Sequence, residues 1–190
     1  MPRAGLTAEN VVTAGAEMAD ELGYSNLNLG LVAKRLGVRA PSLYKHLDGL
    51  ADLQHRIATL AMAELSDVTR DAVAGRAGRD ALTAMATALR GYVAAHPGRY
   101  SATIGAEFTG AGDPLLKEAT RVIDLIAAVL RGYGIGERDM VHAIRAVRCT
   151  LHGFAVLQAT NAFQWSGDID DSFEALIAFI DRGLRGQPPR

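Results

Sequence analysis

Hydrogen-bond donors are concentrated in one short stretch of the chain, residues 33–47. This stretch contains no Asp or Glu, whereas acidic residues flank it on both sides and the whole chain has a formal net charge of -1. A local basic patch in a nearly neutral protein suits the phosphates of a nucleic acid, although a charge cluster alone is more often a solvated surface. Its basic and donor side chains are Lys34, Arg35, Arg39, Ser42, Tyr44, Lys45 and His46.

A second kind of chemistry, thiol and imidazole, is sparsely represented. The chain has one cysteine and five histidines. At about 100° per residue, His142, Cys149 and His152 fall within about 80° on one helix face, and such ligands could bind a metal. No Cys-x-x-Cys pair, His-Glu-x-x-His run or glycine-rich phosphate loop is present. We therefore expect no enzyme activity, metal or cofactor; the alternative is a helical enzyme or a metal- or redox-responsive protein that uses Cys149 and the histidines.

Two short helices joined by a tight turn are predicted to position the donor-rich stretch. Gly37 supplies the positive φ of the turn, and Pro41 stands in the first turn of the second helix, where proline is tolerated. The outer face of the second helix is left with donors, and a short helix fits the major groove. The pattern predicts a helix-turn-helix whose inward-facing residues are Val32, Ala33, Leu36, Val38, Leu43 and Leu47.

The remaining chain has helical hydrophobic periodicity nearly throughout, and no segment has the alternation of a strand. We predict an all-α fold of about nine helices. A three-helix DNA-binding domain (1–52) is joined by a long helix to a helical ligand-binding and dimerisation domain (53–190). The predicted helices cover 7–22, 28–36, 40–46, 48–73, 79–95, 97–108, 113–132, 137–162 and 170–184.

Composition favours a cytoplasmic protein. With 49% hydrophobic and 22% charged residues the chain is typical of globular domains. No apolar run reaches the roughly 18 residues of a membrane span, and residues 1–5 lack the apolar core of a signal peptide. A single cysteine excludes an internal disulfide.

The segment from Leu6 to Leu65 resembles the DNA-binding domain of the tetracycline-repressor (TetR) family. The resemblance covers about a third of the chain. Its marks are Leu6-Thr7, Gly23-Tyr24, Val32-Ala33-Lys34-Arg35-Leu36-Gly37-Val38, Ala40-Pro41-Ser42-Leu43-Tyr44-Lys45-His46-Leu47 and Asp52-Leu53.

That resemblance implies a transcriptional repressor that binds a palindromic operator in double-stranded DNA and is released by a small molecule. It assigns base contacts to Arg39 and Ala40, and a base or phosphate contact to Lys45. It also implies contacts with the DNA backbone. The cap region of Asn28 touches a phosphate, and Ser42, Tyr44 and His46 fix the register of the helix on that backbone. The sequence departs from the family at Gly30, where a base-reading donor is common, and at Leu50, where a phosphate-binding lysine is common.

The last two predicted helices are expected to form a homodimer interface, because the apolar stripe of 137–162 is too broad to be covered on one side. Residues 148–163 resemble a TetR subgroup marked by a Trp-His-Gly signature, with Leu151 in place of the tryptophan. Two core helices of a monomer are the alternative. The predicted interface residues are Ile144, Val147, Leu151, Gly153, Phe154, Leu157, Phe173, Leu176, Ile177 and Ile180.

The middle helices are expected to enclose a pocket for an unidentified effector. We expect the ligand to favour a conformer whose two recognition helices no longer match the groove spacing, with the helix from Leu53 to Val73 as the lever. A helical interaction module without DNA contact is a further alternative. The candidate lining residues, each also a plausible core residue, are Met85, Leu89, Tyr92, His96, Tyr100, Phe108, Ile123, Ile126 and Trp165.

Overall fold

The computed structural model describes residues 6–186, and in that range it contains eight α-helices, two 3₁₀ helices and no strand. The predicted all-α fold is confirmed. The 3₁₀ helices are Tyr24–Asn26 and Ala40–Lys45. The α-helices are α1 (Ala8–Leu22), α2 (Leu29–Leu36), α3 (Leu50–Val73), α4 (Gly78–Ala95), α5 (Pro97–Ala102), α6 (Pro114–Arg131), α7 (Glu137–Ala159) and α8 (Ile169–Arg185).

Two helices end earlier than predicted. Helix α7 stops at Ala159 because Asn161 adopts a left-handed conformation with φ of 54°. The N–H of Ala162 then donates to the carbonyl of Leu157 at 2.8 Å, which satisfies an end carbonyl. Helix α5 stops at Ala102, and the left-handed Gly105 (φ 73°) follows it. The predicted extension of this helix to residue 108 is therefore wrong.

Side-chain caps define the starts of three helices. Thr7 Oγ1 accepts the N–H of Asn10 at 3.1 Å, and Asn28 Oδ1 accepts the N–H of Leu31 at 3.0 Å. At α8, Asp168 Oδ1 accepts the N–H of Asp170 at 2.7 Å. Each cap satisfies a donor that the helix leaves unpaired, which typically contributes about 1 kcal/mol.

The described residues divide into two compact units. The first unit comprises the described residues up to Ala63 together with His96–Glu118, and the second comprises Glu64–Ala95 together with the described residues from Ala119 onward. The first unit is thus discontinuous in sequence. The predicted functional boundary between residues 52 and 53 concerns which residues bind DNA, and it stays a prediction.

One hydrophobic core holds the first unit together. Leu43, Leu53 and Ile57 are completely buried in it, and so are Val11 and Val32. Ala102 and Leu115, from the 96–118 segment, belong to the same core. The helix-turn-helix therefore shares its apolar interior with residues that follow it by more than fifty positions.

Helix α5 packs closely against α1 in this unit. A Cβ atom at Gly98 would lie 1.9 Å from the carbonyl oxygen of Ala19, so only glycine fits there. Asp20 strengthens the contact, because its Oδ1 accepts the backbone N–H of Arg99 at 2.8 Å. Its Oδ2 lies 2.9 Å from Nε of Arg99 and 3.2 Å from Nδ1 of His96.

A buried carboxylate fixes the start of α6. Asp113 Oδ2 accepts the backbone N–H of Thr109 at 2.7 Å, and its Oδ1 accepts the N–H of Leu115 at 2.8 Å and lies 2.9 Å from His55 Nε2. These hydrogen bonds lower the pKa of Asp113 to about 2, with the largest contribution from the Thr109 amide, although burial opposes the shift. Because the carboxylate is ionised, His55 Nε2 must carry the proton between the two side chains.

The second unit is built around α4, α6, α7 and α8. Leu82 and Leu130 are completely buried at its centre. Arg90 joins α4 to the other helices: Nε donates to Gln158 at 2.7 Å, NH2 donates to Asp170 at 2.6 Å, and the guanidinium lies 4.6 Å from the Phe173 ring centroid. No described helix is long and apolar enough to cross a bilayer.

Candidate nucleic-acid interface

Helix α2 and the second 3₁₀ helix form the crossed pair that the sequence predicts. Gly37 ends α2 in the left-handed conformation with φ of 67°, and the N–H of Val38 donates to the carbonyl of Ala33 at 3.0 Å. Both helices bury their apolar faces, with Val32 and Leu43 completely inaccessible. The described elements of the first unit leave the polar side of the second helix accessible to solvent.

The second helix of the pair has 3₁₀ geometry instead of the predicted α geometry. Pro41 has no N–H, and the N–H groups of Ser42 and His46 donate to carbonyls three residues earlier, Arg39 at 2.9 Å and Leu43 at 2.8 Å. In a 3₁₀ helix, side chains three residues apart stand nearly in line. Ser42 and Lys45 therefore stand nearly in line on the helix, and Arg39 precedes the helix as its N-cap, with an extended backbone.

The donor side chains of this helix are accessible. Tyr44 is 61% exposed, and Arg39 and Lys45 are exposed as well. Ala40, Ser42 and His46 are of intermediate burial. An exposed large aromatic beside exposed cations is not needed by the fold, since Leu43 and Leu47 already anchor the helix.

Ion pairing divides the basic residues of the stretch into two groups. Arg35 is paired with Glu21 and lies 3.9 Å from Glu17, so its charge is balanced within the subunit. Among the described residues, Lys34, Arg39 and Lys45 make no ion pair. The partner of Arg35 lies on α1, fourteen residues earlier in the chain, and no local sequence pattern predicts this ion pair.

Asn28 uses its side chain for the fold. Its Oδ1 caps α2, and its Nδ2 donates to the carbonyl of Asn26 at 3.3 Å. Next to this cap, Gly30 in the first turn of α2 is exposed and has no side chain to cover the backbone. A Cβ at Gly30 would meet only Asn28 Oδ1 at 3.3 Å.

The predicted effector residues are distributed over both units. In the second unit, Met85 and Ile126 belong to the buried core, while Leu89 and Ile123 pack against it. The ligand site as a whole stays a prediction.

The other five predicted effector residues differ in unit, contacts and exposure: Tyr92, His96, Tyr100, Phe108 and Trp165. Tyr92 of the second unit is buried and its hydroxyl donates to Glu64 at 2.8 Å, whereas Trp165 is 96% exposed in the loop before α8. His96, Tyr100 and Phe108 lie in the first unit, where His96 contacts Asp20 and Phe108 is 53% exposed.

Most of the predicted dimer residues are buried within their own subunit. Their side chains have little surface left to bury against a second copy. Gly153, Phe154 and Leu176 are of intermediate burial, and Leu157 is 45% exposed. The buried ones are Ile144, Val147, Leu151, Phe173, Ile177 and Ile180.

The cysteine and histidines of α7 do not form a cluster with acidic groups. Cys149 and His142 are exposed, and partial burial together with the charge of Arg148 lowers the pKa of His152. Within residues 6–186 no group of three or more His, Cys, Asp or Glu side chains is arranged to hold a metal ion.

Comparison with known proteins gives matches along nearly the whole chain. Residues 82–180 match the family model described as "Tetracyclin repressor-like, C-terminal domain". A Bacillus subtilis (strain 168) protein named "Uncharacterized HTH-type transcriptional regulator YobS" is 33% identical over 185 residues, covering 96% of this chain and 95% of the relative. The Mycobacterium tuberculosis (strain ATCC 25618 / H37Rv) regulator Rv0681, with the same description, is 34% identical and covers 95% of this chain and 83% of the relative.

Solved structures share the fold. The structure of BioQ with its double-stranded DNA operator superposes with a TM-score of 0.71 at 23% identity, covering 96% of this chain and 100% of that chain. The structure of a TetR variant from Acinetobacter baumannii AYE in complex with minocycline superposes with a TM-score of 0.68 at 24% identity and the same coverage.

Proposed function

The chain belongs to the TetR family of helix-turn-helix transcriptional regulators, and from this we propose that it is a repressor whose homodimer binds a palindromic operator and leaves it when a small molecule binds. The observation that carries the proposal is the exposed row of donors on the second 3₁₀ helix. Within the described part of the chain, Arg39 and Lys45 make no ion pair, whereas the neighbouring Arg35 is paired with Glu21.

In this proposal the second 3₁₀ helix enters the major groove, where some of its side chains contact bases and others contact the DNA backbone. Arg39 and Ala40, at its start, contact base edges, and arginine is the side chain best suited to guanine. Lys45, three residues after Ser42, binds phosphate or a base. Tyr44 and His46 fix the helix on the backbone, and the exposed first turn of α2 after Asn28 offers N–H groups to a further phosphate.

A homodimer is proposed because one short helix buries too little surface for a specific site. Two copies would have to present their helices about 34–36 Å apart, one turn of DNA. The outer faces of α7 and α8 are the best candidates for the contact. They are rich in small and apolar residues, which allow helices of two subunits to approach closely: Ala146, Cys149, Gly153 and Leu157 on α7, and Ala175, Phe179 and Gly183 on α8.

Charge on these two faces supports pairing with a second copy. On α7, Arg138 and Arg145 are exposed and have no ion-pair partner among the described residues. On α8, Asp171 and Glu174 near its start are exposed and acidic, whereas Arg182 near its end is exposed and basic. Opposite charges on the faces of a two-fold contact attract and fix its register.

An unsatisfied buried hydroxyl supports an effector site in the second unit. Ser66 is 1% exposed, and its Oγ has no hydrogen-bond partner among the described residues. A buried hydroxyl without a partner costs about 1–3 kcal/mol, which a polar ligand atom would recover. We place the effector beside Ser66 and the predicted residues of this unit, and its binding would shift the population away from the operator-binding conformer.

No catalytic step is assigned to the chain in this proposal, and an operator-binding repressor would act in the cytoplasm with its DNA.

Selection of bound duplexes from a random pool tests the proposal. Recovery of an inverted repeat with half-sites one helical turn apart is expected. Enrichment of no sequence, or of a single unrepeated motif, would reject the dimeric operator.

A further inference from the structure

The loop between α7 and α8 holds one large aromatic side chain almost entirely in solvent. Trp165 is 96% exposed, and it is the exposed exception among the effector residues predicted for the second unit. The start of the loop is fixed, because the ring centroid of Phe163 lies 5.0 Å from that of Phe154, which in turn lies 5.1 Å from that of Phe173. A tryptophan that stands on a fixed loop, and that the described residues leave uncovered, is typical of an interface anchor.

Helices α7 and α8 run antiparallel, so the loop lies at one end of this helix pair. Phe154 meets Phe173 near the loop, whereas at the opposite end the hydroxyl of Tyr133, just before α7, donates to Asp181 at 2.7 Å. At 1.5 Å per residue, roughly 27 Å of helix separates Val141 from the C-terminal end of α7. A contact between the loop and Val141 therefore requires a second subunit.

The two ends of the helix pair carry opposite charge. Around the loop, exposed carboxylates have no ion-pair partner among the described residues: Asp168, Asp171 and Glu174. Toward the opposite end, exposed guanidinium groups have no such partner either: Arg138, Arg145 and Arg182. Glu137, also at that end, lies 3.8 Å from Arg131 and is compensated by it. An antiparallel pairing of two copies brings the acidic end of each copy to the basic end of the other.

The basic end also offers an apolar contact for an aromatic ring. Val141 is 51% exposed, and at about 100° per residue Arg138 and Arg145 lie within about 60° of it around α7. An indole ring that covers Val141 would receive a neighbouring guanidinium group on its face, and tryptophan is the best cation-π partner among the side chains. This part of α7 therefore fits the side chain that the loop exposes.

We propose that Trp165 of each subunit docks on the first turns of α7 of a second copy, with its indole over Val141 and beside the flanking arginines. The inference rests on the homodimer of the proposed function and adds its register: α7 pairs antiparallel with its copy about Gly153, from which Val141 and Trp165 are equally far in sequence. Open space lies where a Cβ of Gly153 would stand, so the copies can approach closely at the two-fold axis.

Fluorescence reports this contact directly, because Trp165 is the only tryptophan of the chain. Analytical ultracentrifugation of the full chain first identifies the concentrations at which it is dimeric. The dimer should emit at shorter wavelength than N-acetyltryptophanamide and resist acrylamide quenching, since docking removes the indole from water. Trp165→Ala should raise the dimer dissociation constant at least about 30-fold. Ile104→Ala, which shortens an exposed side chain of the first unit, should leave that constant unchanged.

Mixed dimers test whether the contact crosses between subunits. In both mixtures a Trp165→Phe subunit is in excess, so that nearly every remaining tryptophan lies in a mixed dimer. Val141→Asp on the Trp165→Phe subunit should move the emission to longer wavelength. Val141→Asp on the tryptophan-bearing subunit should leave the emission unchanged, although the two mixed dimers carry the same substitutions.

The outcomes separate this contact from the homodimer itself. Equal emission of the two mixtures, a wild-type dimer that emits like N-acetyltryptophanamide, or an unchanged dissociation constant of Trp165→Ala would overturn the contact and leave the homodimer of the proposed function intact. A chain that sediments as a monomer at every concentration would overturn the homodimer and this contact with it.

Discussion

Lys45→Ala should change the salt dependence of operator binding. The ammonium group of Lys45 is exposed and has no ion pair among the described residues, so its full charge is available to a phosphate. Each phosphate contact contributes about 0.9 to the slope of log K against log salt. A homodimer loses two such contacts, and the slope should therefore become shallower by about 1.8.

This difference in slope corresponds to a measurable change in the operator affinity of the wild type relative to Lys45→Ala. Between about 50 and 200 mM salt, the ratio of wild-type to variant binding constants should shrink by about 12-fold, four raised to the power 1.8. Fluorescence anisotropy with one labelled operator duplex, titrated over a series of salt concentrations, gives both slopes.

Lys117→Ala is the matched control for this measurement. Lys117 is an exposed lysine without an ion pair among the described residues, and it lies on α6 outside the helix-turn-helix. Lys117→Ala changes the net charge by the same amount as Lys45→Ala, and it should leave the slope within error of the wild-type value. Equal slopes for Lys45→Ala and the wild type would remove Lys45 from the phosphate contacts and refute the reasoning.

Three further predictions concern base readout and two structural contacts of the first unit. Arg39→Ala should reduce discrimination at one base pair of each half-site by about 1–3 kcal/mol, measured with matched and single-mismatch duplexes, and a uniform loss on all sequences would contradict base readout. Gly98→Ala should destabilise the protein in urea unfolding by about 1–3 kcal/mol or more, because its Cβ would lie 1.9 Å from the Ala19 carbonyl oxygen. Gly91→Ala, in a helix with no atom within 4 Å of the new Cβ, should instead stabilise by about 0.5–1 kcal/mol, and equal effects of the two changes would contradict the close approach. Asp113→Asn should lower the thermal midpoint at neutral pH. Because the folded pKa of about 2 lies below the unfolded value of about 3.9, the advantage of the wild type is complete above about pH 4 and is lost toward pH 2, and a pH-independent difference would exclude the carboxylate as its source.

Local signals account for the parts of the fold that the sequence predicts well. Gly37 requires a left-handed turn, Asn28 and Asp168 cap helices within three residues of themselves, and the apolar spacing around Leu43 sets the buried face. Each of these features depends on neighbours in sequence. The helix-turn-helix and its exposed donors could therefore be predicted without coordinates.

Contacts between distant residues account for what the sequence does not predict. Asp20 meets Arg99 across 79 positions, and Leu115 enters the core of the first unit, yet no periodic pattern links these residues. The apolar stripe of α7 indicated burial, but whether Ile144 faces its own subunit or a second copy depends on where α4 and α8 lie. The exposure of Trp165 likewise depends on how the loop before α8 packs.

Hydroxyl-radical footprinting on a selected operator tests most directly the claim that two copies present the 39–46 face to one duplex. The account predicts two protected tracts related by a two-fold axis, centred about one helical turn apart on one side of the DNA, and their joint loss on Tyr44→Ala. A single protected tract, or protection that survives this substitution unchanged, would contradict it.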